Sequence, residues 1–505
     1  MSTIRSGAQL GIGRVLRAAF GEAKTTARRP WRIFNLPLLY LIRVALRVPR
    51  LLPALLQVLP KNSAVRVTIG NSLFKRDCSL EALEYFEQTK RIGSVSTDEY
   101  LVRGLCLYQG LGRFHDAVAL WARANESALD KAKILGLDDC RFRVLDNAWA
   151  RHIGDSAMLD YVIKLGILEG RRLDDTILYL PPGSRVANRF LLDQIAKYIR
   201  VIEDPIDLPF DPNAVQALHY DLLGPRLPDG RTSFFWEIAA KTYEQWQRSG
   251  KGALLTLPVD IKERGWAALE SAGMRRGDWF VALHVRENRR NRSYADIHDI
   301  RNADVKAYLP AINEVTRRGG WVIRMGDPSM TPLPALPHVI DYCHRDLRAD
   351  WMDIFIAAQC RFMLGSGSGP VFVPPIYGVP SVITNWWPPA QRPLHAFDIF
   401  VPKMPRRLTD GGYLTLSEML REPVSYCQSR RFLTRDEGVV VEDADPEIIR
   451  AAVAEMLARL DGSLPPSADV ADLRARADRI YEEHNVFGMS PLAGDFIQHH
   501  RDLIV

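Results

Sequence analysis

Four short clusters in the second half of the chain gather residue types that bind phosphate and nucleoside. His284 lies in the apolar run WFVALHV, and Arg286 and Glu287 follow it. A guanidinium is a planar fork able to grip phosphate oxygens two at a time. Asp327, Pro328 and Ser329 follow WVIRMG, and a carboxylate there can accept two hydrogen bonds from a ribose or a base. Ser366, Gly367, Ser368 and Gly369 follow RFMLG. Small residues let backbone N–H groups approach a phosphate, and a helix starting just after them would add about half a positive charge. Asn385, Trp386 and Trp387 follow SVIT, offering an amide for a ligand oxygen and indoles to line a sugar or base pocket. Each cluster also has a plain structural reading: His284 in a core, Arg286 on the surface, Asp327 capping a turn, Ser366 to Gly369 as a flexible turn, Asn385 in a turn, the tryptophans in a core.

What unites the clusters is position, because each stands at the end of a strand-like run. From Trp279 the chain alternates strand and helix: WFVALHV, the helical NADVKAYLPAINEVTRRGG with a kink expected at Pro310, WVIRMGD, HVIDYC, the helical DWMDIFIAAQC, RFMLGS, a short helix PVFVPPIYG, then SVITNW. Ligands of open parallel sheets bind beyond the carboxyl ends of the strands. The four clusters together predict a nucleotide-diphosphate site. No lysine stands in Walker spacing after Ser366, which excludes a P-loop.

An earlier block beginning near Phe142 alternates in the same way: FRVLDN, DDTILYLP and IRVIED as strands, SAMLDYVIKLGILEG and VANRFLLDQIAKY as helices. The fold class expected is α/β, with two Rossmann-like domains facing a cleft and an α-helical, repeat-like region before them. The boundaries are 1–60 for a basic arm, 61–135 for helical hairpins, 136–262 and 263–405 for the two α/β domains, and 406–505 for a helical extension.

The helical region carries one internal echo, Ala82 with Phe86 and Ala117 with Trp121, an offset close to the roughly 34-residue tetratricopeptide period. Residues 1–60 hold ten basic side chains against one acid, while the whole chain has a net charge of +6. The basic character therefore belongs to the arm, and a nucleic-acid-binding body is excluded as a reading. Within the arm Arg43, Arg47 and Arg50 share one helical face opposite Leu41, Ala45 and Val48. That pattern suits a helix in the headgroup layer of an anionic membrane, or one packed on the protein with its arginines solvated. Six cysteines stand far apart without Cys-x-x-Cys spacing, which suggests reduced thiols in a cytoplasmic protein, peripheral on the inner membrane face if the arm binds lipid.

The runs HVRENRRN, WVIRMGDPSM, CRFMLGSGSGP and YGVPSVITNWWP resemble a family of bacterial glycosyltransferases associated with surface-polysaccharide loci, over about residues 140 to 500. More distantly, the order His-x-Arg, Asp-Pro-Ser, Ser-x-Ser is similar to fucosyltransferases of the GT-B architecture. The resemblance implies His284 and Arg286 at the diphosphate, Asp327 at the base or ribose, and Ser366 and Ser368 at phosphate. It implies a nucleotide-diphosphate sugar donor, GDP-sugars favoured, a glycan or lipid-linked acceptor, and no metal or other cofactor. Glu287 departs from the pattern, since those enzymes often carry a second basic residue there, so fucose is not implied as firmly as glycosyl transfer. A terminal helix returning to the first lobe would suit such an architecture by analogy.

Three residues are candidates for the base that deprotonates the acceptor: His152 and Asp155 in the loop opening the first block's helix, and Glu287 nearer the donor. Asp296 and Asp299 in the polar loop form no ligand cluster in the sequence. Two other functional classes fit the same residues, a scaffold component of a polysaccharide assembly with a vestigial pocket and a nucleotide-sugar epimerase. For the arm, the full chain should float with anionic vesicles and a chain lacking residues 1–60 should not; equal flotation would end the membrane reading.

Overall fold

The computed structural model describes residues 63–89, 95–137, 140–227, 229–287, 296–465 and 467–505. The basic arm, 1–60, lies outside the described residues. Two helical hairpins come first, α1 (Ser63–Lys75) with α2 (Ser79–Thr89), then α3 (Thr97–Leu105) with α4 (Phe114–Ile134). The echoed residues Ala82, Phe86, Ala117 and Trp121 are all buried. Each hairpin closes by the same device: a Cβ on Gly70 would fall 2.1 Å from the Phe86 ring, and one on Gly104 2.3 Å from the Trp121 indole. A π-helical turn, Cys106–Gly110, extends α3. Its glycine admits Ser79 at a distance no side chain allows, and Gly112, at φ +64, lies against the carbonyl of Pro423. The helical region is therefore packed into the body of the protein, beside residues 423–431, where Gln428 N–H donates to Gln109 O.

The first sheet has three parallel strands in the order β1 (Arg143–Leu145), β2 (Thr176–Tyr179), β3 (Arg200–Ile202). Between β1 and β2 runs α5 (Ile153–Leu168), buried on almost every side, as an all-round apolar helix must be. The helix α6 (Arg189–Ile195) precedes β3, capped by Asn188, and α7 (Phe235–Arg248) packs on α5. With α8 (Val259–Ser271) the chain enters the second lobe, since α8 packs against the later α10.

The second sheet holds β4 (Phe280–His284), β5 (Trp321–Arg324), β6 (Val339–Ile340), β7 (Phe362–Ser366), β8 (Ser381–Trp386) and β9 (Ile399–Pro402), all parallel. Their spatial order is β6-β5-β4-β7-β8-β9. Numbered within the sheet this is 3-2-1-4-5-6, the doubly wound dinucleotide-binding order, whose direction reverses between its first and fourth strands. Here the switch point lies between β4 and β7. α9 (Leu309–Arg317) and α10 (Asp350–Gln359) flank the sheet. Pro310 occupies the first turn of α9 and starts the helix instead of kinking it, because its missing N–H is unneeded there.

Beyond the sheet, β10 (Met404–Arg407) pairs antiparallel with β11 (Val439–Glu442), and α11 (Pro446–Leu460) packs on α9, β8 and β9. The final helices α12 (Ala468–Glu483) and α13 (Gly494–His499) pack on one another and on α11 or its neighbours. They belong with the second lobe; the return to the first is a local touch, Phe487 under the Lys241 ammonium at 5.0 Å. All six cysteines are free, and no described helix is long and apolar enough to cross a membrane.

The lobes meet where α5 begins. A Cβ on Gly154 would lie 2.9 Å from the Cα of Gly369, and one on Gly369 would lie 2.8 Å from the Gly154 nitrogen. The nearest atom on each side is backbone, with the Ile153 Cγ2 next at 3.0 Å from a Cβ on Gly369. Gly369→Ala should cost about 1–3 kcal/mol by overpacking, measured by urea unfolding; an unchanged midpoint would mean that the lobes are free to separate at this seam.

Candidate active site

Every residue of β4 is buried, so the strand carries His284 and the following Arg286 directly to the switch point. His284 registers with Gly365 of β7. One residue on, the Arg286 N–H donates to Ser366 Oγ at 2.8 Å, and Ser366 is fully buried. This bond ties the loop after β4 to the loop after β7. Ser366 thus serves the Arg286 backbone, a role its sequence placement at phosphate did not anticipate. His284 is 6% exposed, and its enclosed Nδ1 has no partner in any other described residue. Burial, and then Arg286 and Arg324, push it down to about 4, against a smaller lift from its own backbone bond and Asp327. At neutral pH it is an uncharged imidazole, a hydrogen-bonding group and not a cation.

Glu287 is engaged elsewhere. Its Oε2 accepts from the Thr331 N–H at 2.7 Å and from Nη2 of the fully buried Arg324 at 3.3 Å. Arg324 also reaches Asp341 Oδ1 at 3.3 Å and donates to Thr331 O at 2.6 Å. These bonds fold residues 325–331 over the end of β5. Within that loop Asp327 Oδ1 accepts from Ser329 N–H at 2.8 Å and from Ser329 Oγ at 2.5 Å, the turn-capping role that competed with base recognition. Asp341, Cys343 and His344 bring ligand atoms within 4.8 Å of one another. A metal fits poorly there, because the Arg324 guanidinium already holds Asp341 and lies 3.5 Å from the Cys343 sulfur.

Asn385 is no ligand. It is fully buried at φ +50, its Nδ2 donates to the Tyr308 hydroxyl at 3.1 Å, and its Oδ1 accepts from the Ala444 N–H at 2.7 Å. Trp386 and Trp387 are core, each with its indole N–H bonded to a backbone carbonyl. Gly367 and Ser368 do lie at the switch point, with Ser368 buried. The segment after them is not a helix, however, but two four-residue 3-10 turns, Gly369–Phe372 and Pro374–Tyr377. Prolines at positions 370, 374 and 375 deny a longer ladder its donors.

The helix N-terminus that faces this loop comes from the other lobe. It is that of α5, whose Gly154 touches Gly369. His152 precedes it and Asp155 lies in its first turn, with His152 Nδ1 2.9 Å from Asp155 Oδ2. The imidazole is 69% exposed. The carboxylate accepts, so Nδ1 carries the proton and Nε2 is left as the basic nitrogen.

Two further residues belong here. His298 precedes the turn Asp299–Arg301 and Arg301 ends it, in the polar loop read from sequence only as a failed metal cluster. His298 Nδ1 lies 3.2 Å from Gln428 Oε1, and the ring is held well below its ordinary range by burial, Arg301 and Arg286, with a smaller effect of His152. Arg301 is pushed down to about 9 by burial and by Arg286, partly offset by Asp155 and Tyr108. Elements of both lobes and of the helical region therefore act on one another at this point. The signal in the sequence was the pair Ile297 and Ile300, apolar residues spaced through a polar loop, which are now both buried in separate clusters.

His284 makes the site acid-sensitive. Its folded-state pKa lies below the unfolded value of 6.5, so the unfolded chain binds more protons and stability falls as pH drops through 6.5 toward 4. The loss by pH 4.5 should be roughly 2–3 kcal/mol. In urea titrations at pH 7 and 4.5, His284→Gln should lose less stability on acidification than the parent; an identical loss would show that the imidazole is not held neutral.

No family model matches the chain, and no curated protein matches it. Among solved structures, a glycosyl transferase of family 9 from Veillonella parvula DSM 2008 aligns over 48% of this chain and 79% of its own, at 13% identity and a TM-score of 0.29. The dodecameric iron-containing heptosyltransferase TibC, solved in complex with ADP-D-beta-D-heptose, aligns over 64% of this chain and 78% of its own, at 12% identity and a TM-score of 0.35. The α/β assignment stands on the strand order itself.

Proposed function

We propose that this protein is a glycosyltransferase of the GT-B kind, moving a sugar from a nucleoside diphosphate to a hydroxyl of a glycan or lipid-linked acceptor. The observation that supports the reading is the approach of Gly154, at the start of the buried helix that carries the His152–Asp155 pair, to Gly369 in the loop after β7, the loop whose Ser366 accepts from the Arg286 N–H at the switch point. One lobe offers cationic and backbone N–H groups, the other an oriented base.

In the proposed reaction the acceptor oxygen bonds to the anomeric carbon while the carbon–oxygen bond to the β-phosphate breaks and its electron pair leaves with the diphosphate. Nε2 of His152 takes the acceptor proton, and Asp155 holds the ring in the required tautomer and steadies the imidazolium that forms. Arg286 and the N–H groups that open α5 meet the charge growing on the departing diphosphate. Glu287 is not the base in this scheme, because Arg324 and Thr331 hold its carboxylate. GDP-sugars remain the favoured donors on the sequence resemblance.

A thermal-shift panel of GDP, UDP, ADP and CMP tests the site. At a hundred times the dissociation constant, a ligand of the folded state adds about 2.7 kcal/mol, so the matching nucleotide should raise Tm by several degrees and Arg286→Ala should remove the shift. No response to any of the four would end the transferase reading. Once a donor is known, His152→Ala should lower turnover by about 10²- to 10⁴-fold with donor affinity unchanged; product analysis separates transfer from epimerisation.

A further inference from the structure

Arg301 forms no ion pair among the described residues. Its Nε is enclosed and has no hydrogen-bond partner among the described residues, while the residue as a whole is only partly covered. The guanidinium is thus partly enclosed, neither core nor free surface. Its placement is built. The Ala303 N–H donates to Arg286 O at 2.9 Å, which sets the Asp299–Arg301 turn beside Arg286. Asp299 holds the turn through the Asp296 N–H at 2.9 Å and Asn302 Nδ2 at 3.1 Å. Lys403 Nζ donates to Asn302 O at 2.8 Å, and Ile297 and Ile300 anchor the two sides in different buried clusters.

So much structure positions a charge that costs stability where it stands. Arg286 is the strongest charged influence on it, and it is repulsive; only Asp155 and the Tyr108 phenol offset it. A second guanidinium set beside the Arg286 backbone, with an enclosed Nε that donates to no described group, is suited to meeting an anion. Each phosphate of a nucleoside diphosphate sugar is a diester bearing one negative charge, so two phosphates match two arginines. When the sugar leaves, the terminal phosphate gains a second charge and the pair becomes more valuable still.

We propose that Arg301 is a second diphosphate-binding residue, which with Arg286 forms a two-arginine clamp that makes the cleft prefer diphosphates to monophosphates. The inference rests on the transferase reading of the same cleft, and adds to it a residue and a selectivity. Arg301 comes from the loop after β4 and not from the motif position next to Arg286, where Glu287 stands.

The test is calorimetric binding of GDP, UDP, ADP and CDP, and of the matching monophosphates, to the full chain and to Arg301→Gln, Arg301→Lys and Arg286→Ala. Arg301→Gln should weaken the best nucleoside diphosphate about 10- to 100-fold, the range for a charge-assisted contact, and its monophosphate by less than about threefold. Arg301→Lys should recover part of the loss, since a point charge replaces a fork. Without nucleotide, the melting temperature of Arg301→Gln should equal or exceed that of the parent, because a repulsive charge has gone; a merely structural arginine would lower it. Diphosphate affinity unchanged in Arg301→Gln, with Arg286→Ala inactive in binding, would overturn the clamp and leave the site. Equal losses for diphosphate and monophosphate would overturn the selectivity. Failure of the parent to bind any diphosphate would overturn both clamp and site.

Discussion

Between Gly154 and Gly369 there is no room for a side chain, and the geometry of the cleft follows from that constraint. Two backbones in contact set a hard minimum distance between the start of α5 and the serine loop after β7. Because α5 is buried on nearly every side, it cannot slide without disturbing the packing of both lobes. The exposed His152 and the half-buried Asp155 therefore stand at the start of a tightly packed helix, with the serine loop after β7 opposite them.

The electrostatics of the site run against ordinary packing. Arg286 and Arg301 lie close enough to oppose one another, and His284 and His298 are both held neutral by burial beside them. Asp155 offsets part of the charge of Arg301, while two other nearby carboxylates are held by protein partners. Glu287 holds Arg324 and the Thr331 backbone, and Asp327 caps its own turn. Donors and positive charge gathered in this way are the kind of arrangement that the proposed anion site would use.

The helical region is part of this arrangement. Gly110 and Gly112 allow the π-helical turn to lie against Ser79 and Pro423, and that turn presents Tyr108 toward Arg301. Ile297 packs in the core of the first hairpin. The hairpins thus hold the loop that carries His298 and Arg301, which ties a region resembling an adaptor to the chemistry of the cleft.

Strand identity, the parallel character of the sheets and the switch-point location of His284, Arg286 and Ser366 were legible in the sequence, because each depends on local periodicity and on a rule about where strands end. The echo of Ala82 and Phe86 in Ala117 and Trp121 falls on four buried residues of the two helical hairpins. The fates of individual polar side chains were not legible. Asn385 and Glu287 look like ligands until their partners Tyr308, Ala444 and Arg324, distant in the chain, are seen to satisfy them. Arg301 looks like one charge in a polar loop until Arg286, Asp155 of the first lobe and Tyr108 of the helical region are seen to act on it. Local pattern decides which element forms, since its energetics act between near neighbours. Which polar group stays available for a ligand is decided by desolvation and pairing across the folded chain, and only the tertiary structure brings those partners together.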